Sequence, residues 1–226
     1  MKKLALVHTI PWFDRTITKP LVEPWLAKHP ELEVVNIMDD SLLTESQPHG
    51  GPTKAVIKRL IYYFQAAEAT GADVIMSTCS SMGIGTRIGR EFVNIPLFNI
   101  DEPMAKEAMS LGRVFGVVAT VPTSLPATVS LLKREALDAE KSVEIKELHC
   151  QGAFDALGRG DKATHDLLVR EALQQLENEV DVLILGQVSL SQVHFEGRVP
   201  LLQVGASGFA HAEKLLNLQE LASDRS

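Results

Sequence analysis

Short apolar segments alternate with longer amphipathic segments along the whole chain. Several apolar segments are unbroken runs of Val, Ile and Leu, which is typical of strands covered on both faces. The predicted strands are Leu4–Thr9, Leu32–Ile37, Val74–Thr78, Pro96–Ile100, Val114–Thr120, Val143–His149, Val182–Gly186 and Pro200–Val204. The predicted helices are Leu21–Lys28, Thr53–Thr70, Pro103–Ser110, Ser124–Leu137, Ala163–Glu179 and Phe209–Leu218. This alternation predicts an α/β protein with parallel sheets.

Three segments of the first half resemble three segments of the second half, in the same order. In this alignment "LALVHTIP" (4–11) matches "FGVVATVP" (115–122), "ADVIMSTCSS" (72–81) matches "VDVLILGQVS" (180–189), and "IPLFNI" (95–100) matches "VPLLQV" (199–204). Any single match can arise between generic strands, but three in order favour a duplicated half. We therefore predict two pseudo-symmetric Rossmann-like lobes, residues 1–100 with 206–226 and residues 101–205. The active site is expected in the cleft between them, at the carboxyl ends of the strands.

Composition excludes several classes of function. The 226 residues carry a net charge of −7, which gives no electrostatic footprint for nucleic acid or anionic lipid. No segment is long enough to span a membrane and the N-terminus has no cleavage site, so we expect a cytoplasmic protein with no membrane partner. The two distant cysteines form neither a disulfide framework nor a metal-binding spacing. No GxGxxG, P-loop, GxSxG, HExxH or CxxC motif occurs, so we predict no cofactor and no metal.

Polar side chains follow the strands of both predicted halves. We predict Cys79 as the catalytic residue, because it follows a buried strand and precedes a turn and a helix whose N–H groups can stabilise a thiolate. The alternative is a thiol that serves as a small buried hydrophobic group. The predicted substrate-binding residues are His8, Thr9, Pro11, Ser80, Ser81, Thr120, Thr123, Gln187 and Ser189.

Each of these polar residues also has a structural interpretation. The hydroxyls can hold a carboxylate or an enolate-like oxyanion, but singly they are common capping and turn residues. His8 can act as an acid or base, or it can be satisfied by the backbone at the end of its strand. The segment Ser41–Thr53 is predicted to be structureless, either as a mobile lid containing His49 or as an ordinary loop. We expect Asp101 to cap the following helix and Cys150 to be structural.

The motif "STCSS" (77–81) after a buried strand, within two similar α/β halves, resembles the aspartate/glutamate/hydantoin racemase superfamily. The segment "GVVATVPTS" (116–124) is similar to the opening strand and turn of its second lobe, and the resemblance covers nearly the whole chain. It implies cofactor-independent chemistry at a carbon next to a carboxylate or carbonyl, and a homo-oligomer. Cys79 then corresponds to the first-lobe cysteine, and Ser80 and Ser81 to residues that hold the substrate carboxylate.

The chain differs from this family at the second-lobe position. The racemases use one cysteine from each lobe, whereas the repeat places Gln187 opposite Cys79. Glutamine does not exchange protons near neutral pH, so we predict one-thiol chemistry through Cys79, with Gln187 and the hydroxyls holding the oxygens of a small carboxylate. Arylmalonate decarboxylases of this superfamily also use one thiol, but theirs is the second-lobe one. Racemisation or epimerisation, isomerisation and decarboxylation stay open, and the alternative is a non-catalytic two-lobed binder of a small carboxylate.

Overall fold

The computed structural model describes residues 2–223, with the side chains of residues 2–216. Met1 and residues 224–226, which the sequence assigns to the first lobe, lie outside this range. The strands are β1 Lys2–His8, β2 Leu32–Met38, β3 Val74–Ser77, β4 Leu97–Asn99, β5 Val114–Ala119, β6 Glu144–His149, β7 Val182–Leu185 and β8 Leu201–Gln203. The helices are α1 Glu23–Leu26, α2 Ser41–Ser46, α3 Lys54–Ala69, α4 Gly83–Gly89, α5 Glu102–Leu111, α6 Ser124–Asp138, α7 Ala153–Gly158, α8 Lys162–Leu176 and α9 Val204–Ser223.

The chain divides into two compact units, each built around its own parallel sheet. The first unit contains the residues up to Ile100 and those from Gly205 onward, and the second contains Asp101–Val204. The strand order is β2-β1-β3-β4 in the first sheet and β6-β5-β7-β8 in the second. All neighbouring strands are parallel. The predicted α/β fold with two similar halves is therefore confirmed.

The strand registers reproduce the internal repeat residue by residue. Leu4 of β1 pairs with Val74 of β3 in the first sheet. Phe115 of β5 pairs with Val182 of β7 in the second sheet, and these are the residues that the repeat equates with the first pair. The β3–β4 and β7–β8 pairs keep the alignment as well. A shift of one residue would exchange the two faces of a strand, so the shared register places equivalent residues at equivalent strand ends.

The helix that follows Cys79 packs very closely against its neighbour. Gly85 and Gly89 lie on the face of α4 that approaches α3. A Cβ atom on Gly89 would lie 2.6 Å from the ring of Phe64, and one on Gly85 would lie 2.8 Å from Leu60. Phe64 and Leu60 are fully buried core residues of α3. The two glycines therefore allow α4, and the turn before it, to sit directly on the core.

The segment after β1 differs from the sequence prediction of a helix over Leu21–Lys28. A π-helical segment spans Asp14–Val22, and α1 follows immediately. Pro20 lies inside this segment. Because proline has no N–H group, it cannot continue the four-residue hydrogen-bond ladder of an α-helix, and the wider π-helical turn is compatible with that loss.

The prediction of a structureless stretch over Ser41–Thr53 is wrong. Residues 41–46 form α2, and a 3₁₀ turn at Gln47–His49 follows it. Leu42 is fully buried, and the backbone N–H of Ser41 donates to Asp39 Oδ1 at 2.9 Å. Arg59 of α3 lies 3.1 Å from Asp39 and 3.0 Å from Glu45. These contacts fix α2 against α3, which argues against a freely moving lid over 41–46.

Two further sequence predictions concern single residues. Asp101 occupies the N-cap position of α5, but its side chain makes no capping hydrogen bond, so the predicted capping role is wrong. Cys150 is buried, and its Sγ donates to the Leu168 carbonyl oxygen at 3.8 Å, in keeping with a structural role. Among the described residues, no helix combines the length and apolarity needed to cross a membrane. The described part of the chain also holds no group of three His, Cys, Asp or Glu side chains suited to a metal.

Candidate active site

Cys79 lies just after the carboxyl end of β3, at the edge of the core of the first unit. All four residues of β3 are buried, whereas the Cys79 side chain is partly exposed. Cys79 has extended backbone geometry and precedes a 3₁₀ turn at Ser80–Met82 that leads into α4. The Met82 N–H donates to the Cys79 carbonyl oxygen at 3.0 Å and closes this turn. The thiol thus lies at the carboxyl edge of a parallel sheet, where ligands of open α/β sheets bind.

Four donors surround the Cys79 sulfur. They are the hydroxyls of Thr9 and Ser81 and the backbone N–H groups of Ser81 and Met82. Burial raises the pKa of the Cys79 thiol, and these hydrogen bonds act in the opposite direction without overcoming it. The predicted N–H donors are therefore present, but the predicted thiolate is not the resting form: the group carries its proton at neutral pH.

The hydroxyls around Cys79 differ in their availability. Ser81 and Thr9 are buried and directed to the sulfur, as described above. Ser80 is also buried, and its Oγ has no hydrogen-bond partner among the described residues. A buried hydroxyl without a partner is uncommon in folded proteins, so Ser80 has an unused donor at the thiol turn. Pro11 is exposed in the turn after β1, and its predicted contact with a substrate stays a prediction.

His8 is fully buried and both of its ring nitrogens are engaged. Nδ1 lies 2.9 Å from Thr78 Oγ1, and Nε2 lies 2.9 Å from Asn36 Oδ1. Burial lowers the pKa of His8 to about 4, although the hydrogen bond to Asn36 favours the protonated form. Both nitrogens have side-chain partners, and the predicted contact of His8 with a substrate stays a prediction. Side chains, and not the backbone, satisfy this ring.

Gln187 in the second unit is held by the end of β5. Its Oε1 accepts the backbone N–H groups of Thr120 and Val121, the latter at 3.1 Å, and the Thr120 hydroxyl at 3.2 Å. Only the amide oxygen can accept these donors, so the orientation of the amide is fixed. Its Nε2 group makes no hydrogen bond to the described residues and is a donor for an incoming oxygen.

The two strand-end hydrogen bonds are equivalent in the two units. Thr9 and Thr120 are matched by the repeat, and each donates its hydroxyl to the matched side chain, Cys79 or Gln187. The remaining predicted residues, Thr123 and Ser189, are buried at the N-terminus of α6 and in the 3₁₀ turn after Gln187. The structure thus gathers Thr9, Cys79, Ser80 and Ser81 in the first unit and Thr120, Thr123, Gln187 and Ser189 in the second.

Three residues near this site were missed by the sequence analysis. Asn36 and Thr78 bind the ring nitrogens of His8, and the Phe13 ring stacks on the imidazole with centroids 4.2 Å apart. Asn36 lies within an otherwise ordinary strand, and Phe13 lies in the segment after β1. Their contacts join separate elements, so no local pattern in the sequence marks them.

Comparisons with known proteins agree with this architecture. A Picrophilus torridus aspartate racemase superimposes with a TM-score of 0.72 at 15% identity, covering 96% of this chain and 95% of that chain. An allantoin racemase from Pseudomonas fluorescens gives a TM-score of 0.67 at 19% identity, with coverage of 96% and 92%. A glutamate racemase isoform from Bacillus anthracis gives 0.70 at 15% identity, with coverage of 96% and 82%. At these identities the similarity establishes the fold alone.

Sequence comparison supplies the family. No curated protein matches the chain. The model of the Asp/Glu/Hydantoin racemase family, however, matches residues 18–214. This match covers most of both units, including the thiol turn after β3 and the Gln187 turn after β7. The chain therefore belongs to the Asp/Glu/Hydantoin racemase family.

Proposed function

We propose that this protein is a cofactor-independent, racemase-type enzyme that uses Cys79 to move a proton at the carbon next to the carboxylate of a small acid. The family supports a racemase-type enzyme. The observation that carries the finer proposal is the position of Cys79, a partly exposed thiol at a strand end with four hydrogen-bond donors on its sulfur.

The protonation state of Cys79 suggests how the step proceeds. Because burial raises its pKa, the resting thiol is a proton donor, suited to protonating an enolate or enediolate carbon. In the reverse direction the thiolate takes the α-proton, and the electron pair of the C–H bond moves onto the carboxylate. The Thr9 and Ser81 donors stabilise the thiolate that is left after protonation. The unpartnered Ser80 hydroxyl is the proposed donor to a substrate oxygen.

Gln187 favours chemistry with a single thiol. An amide neither removes nor returns a proton near neutral pH. We propose that its Nε2 group donates to a substrate oxygen while Oε1 stays bound to the end of β5. Proton return by Cys79 alone gives exchange at one face, isomerisation, or protonation after loss of carbon dioxide.

The test is exchange of the α-proton in heavy water. A panel of amino acids, hydroxy acids, hydantoins and substituted malonates is incubated with the protein, and deuterium incorporation, inversion and carbon dioxide release are measured. We expect exchange or carbon dioxide release for at least one class, abolished in Cys79→Ala and retained in the matched Cys150→Ala variant. Turnover that survives in Cys79→Ala would refute the proposed role of the thiol.

A non-catalytic binder of a small carboxylate is the second candidate. The raised pKa of Cys79 and the amide at position 187 favour it, because neither group is a strong base at neutral pH. In that case calorimetry detects binding of a carboxylate while heavy water gives no exchange.

The homo-oligomer expected from the family resemblance also stays a prediction, which light scattering of the purified protein checks.

A further inference from the structure

The imidazole of His8 lies next to the two chain segments that carry the hydrogen bond between Thr9 and Cys79. Its Nδ1 lies 2.9 Å from the hydroxyl of Thr78, the residue before Cys79. Its face stacks on the Phe13 ring at an interplanar angle of 15°, shortly after Thr9 in the chain. The Asp39 N–H also donates to the His8 carbonyl oxygen at 3.1 Å. The ring therefore binds the residue directly before Cys79, and its own backbone continues directly into Thr9.

The hydrogen bonds of His8 have a defined direction. The Asn36 amide oxygen can only accept, so Nε2 carries the hydrogen, and Nδ1 of the neutral ring is an acceptor. The single hydrogen of the Thr78 hydroxyl is therefore directed between Nδ1 at 2.9 Å and the Val7 carbonyl oxygen at 3.1 Å. These two contacts fix the side chain of the residue that immediately precedes Cys79.

The second unit has no such arrangement. The repeat places Ala119 at the position of His8 and Gly186 at the position of Thr78. There the Gln187 oxygen accepts two backbone N–H groups as well as a hydroxyl, so the amide itself holds the end of β5. Sulfur is a weak acceptor and cannot hold the end of β1 in the same way. The half that carries the thiol therefore needs another group to keep Thr9 in place.

We propose that His8 is a positioning residue that holds Thr9 and Cys79 at hydrogen-bonding distance, by binding Thr78 on one side and stacking on Phe13 on the other. This inference rests on the proposed role of Cys79 as the working thiol. In this role the ring acts on the thiol through the Thr9 hydroxyl, whose hydrogen bond lowers the pKa of the sulfur.

The experiment measures alkylation of Cys79 by iodoacetamide as a function of pH, with buried Cys150 in the same chain as the reference thiol. Thr9→Val removes the hydroxyl donor, and His8→Phe removes both ring nitrogens while keeping a ring to stack on Phe13. In each variant we expect the pH midpoint of the rate to move upward, and the rate below the midpoint to fall about fivefold, the effect of one lost hydrogen bond. The double variant should show no further change, because His8 acts through Thr9.

The direction of the midpoint shift separates this role from simple loosening of the fold. Greater exposure of the sulfur relieves its burial and moves the midpoint downward, whereas loss of the Thr9 hydrogen bond moves it upward. His8→Asn keeps a polar group near Thr78 and should recover part of the effect. Asn36→Leu, at an exposed position, repeats the test if His8→Phe does not fold. An unchanged midpoint in His8→Phe or Asn36→Leu, or additive shifts in the double variant, would overturn the proposal. Because alkylation needs no turnover, its outcome is independent of whether the exchange assay succeeds.

Discussion

Gln187 occupies in the second unit the position that Cys79 occupies in the first. Both residues have extended backbone, both follow a fully buried strand, and both precede a 3₁₀ turn closed by a backbone hydrogen bond of 3.0 or 3.1 Å. Each accepts the hydroxyl of the matched strand-end threonine. The two units therefore share one scaffold but carry different functional groups at the matched position, a thiol in the first and an amide in the second.

The two ends of the Gln187 amide can be tested separately. Gln187→Ala leaves the N–H groups of Thr120 and Val121 without their acceptor and should lower the free energy of unfolding by about 1–3 kcal/mol. Gln187→Glu keeps an acceptor for them but replaces the Nε2 donor with a second acceptor. We expect near-normal stability and about tenfold weaker binding of a carboxylate ligand. Urea denaturation and calorimetry measure the two effects, and equal ligand affinity in wild type and Gln187→Glu would contradict a role for Nε2.

The buried His8 predicts a defined loss of stability on mild acidification. Its pKa is about 4 in the folded protein and 6.5 in the unfolded chain, so between these values the unfolded chain binds more protons. The free energy of unfolding should therefore fall as the pH drops from about 6.5 to 4, by about 3 kcal/mol in total. The His8→Phe variant should lack this pH-dependent fall in the free energy of unfolding. Urea denaturation at several pH values between about 6.5 and 4 measures this free energy in both proteins. Parallel profiles of unfolding free energy against pH for wild type and variant would show that His8 does not contribute.

Tyr63 anchors the start of α2 through Asp39. Its hydroxyl donates to Asp39 Oδ2 at 2.8 Å. Burial tends to raise the pKa of Asp39, but hydrogen bonds from Ser41 and Tyr63 and the nearby Arg59 keep that pKa below its usual value. Tyr63→Phe should cost about 1 kcal/mol of unfolding free energy and speed hydrogen exchange over residues 41–46. The matched control is Tyr62→Phe, because the Tyr62 side chain is largely exposed. Equal exchange in the two variants would argue against this anchor.

Gly89→Ala tests the close packing of α4 on α3. The new Cβ would lie 2.6 Å from the Phe64 ring, whereas the backbone at Gly89 has an ordinary φ of −60°. The expected cost of about 1–3 kcal/mol is therefore purely steric. Gly51→Ala is the control, since an added Cβ there has no heavy atom within 4 Å. Thermal unfolding of both variants provides the comparison, and a Gly89→Ala protein as stable as the control would show that α4 can move away.

The sequence determined the sheets and the strand ends because both depend on local patterns. Continuous apolar runs located the eight strands to within one or two residues, and the repeat matched the first sheet to the second in the correct register. The helix boundary near Pro20 was not predicted correctly, because the proline lies inside a π-helical segment that the apolar pattern does not mark. The helix at Ser41–Ser46 was missed because its contacts with Asp39 and Arg59 lie outside the segment.

Only the tertiary structure decided the state of the groups at those strand ends. The protonated thiol of Cys79 follows from burial, which outweighs four hydrogen bonds that the sequence could only suggest. The neutral ring of His8 follows from burial, which outweighs the hydrogen bond to Asn36, a residue of another strand in the first unit. Residue type and position along a strand are properties of the sequence. Solvation and hydrogen-bond partners depend on which elements meet in space, and they set the pKa values on which the chemistry of the site rests.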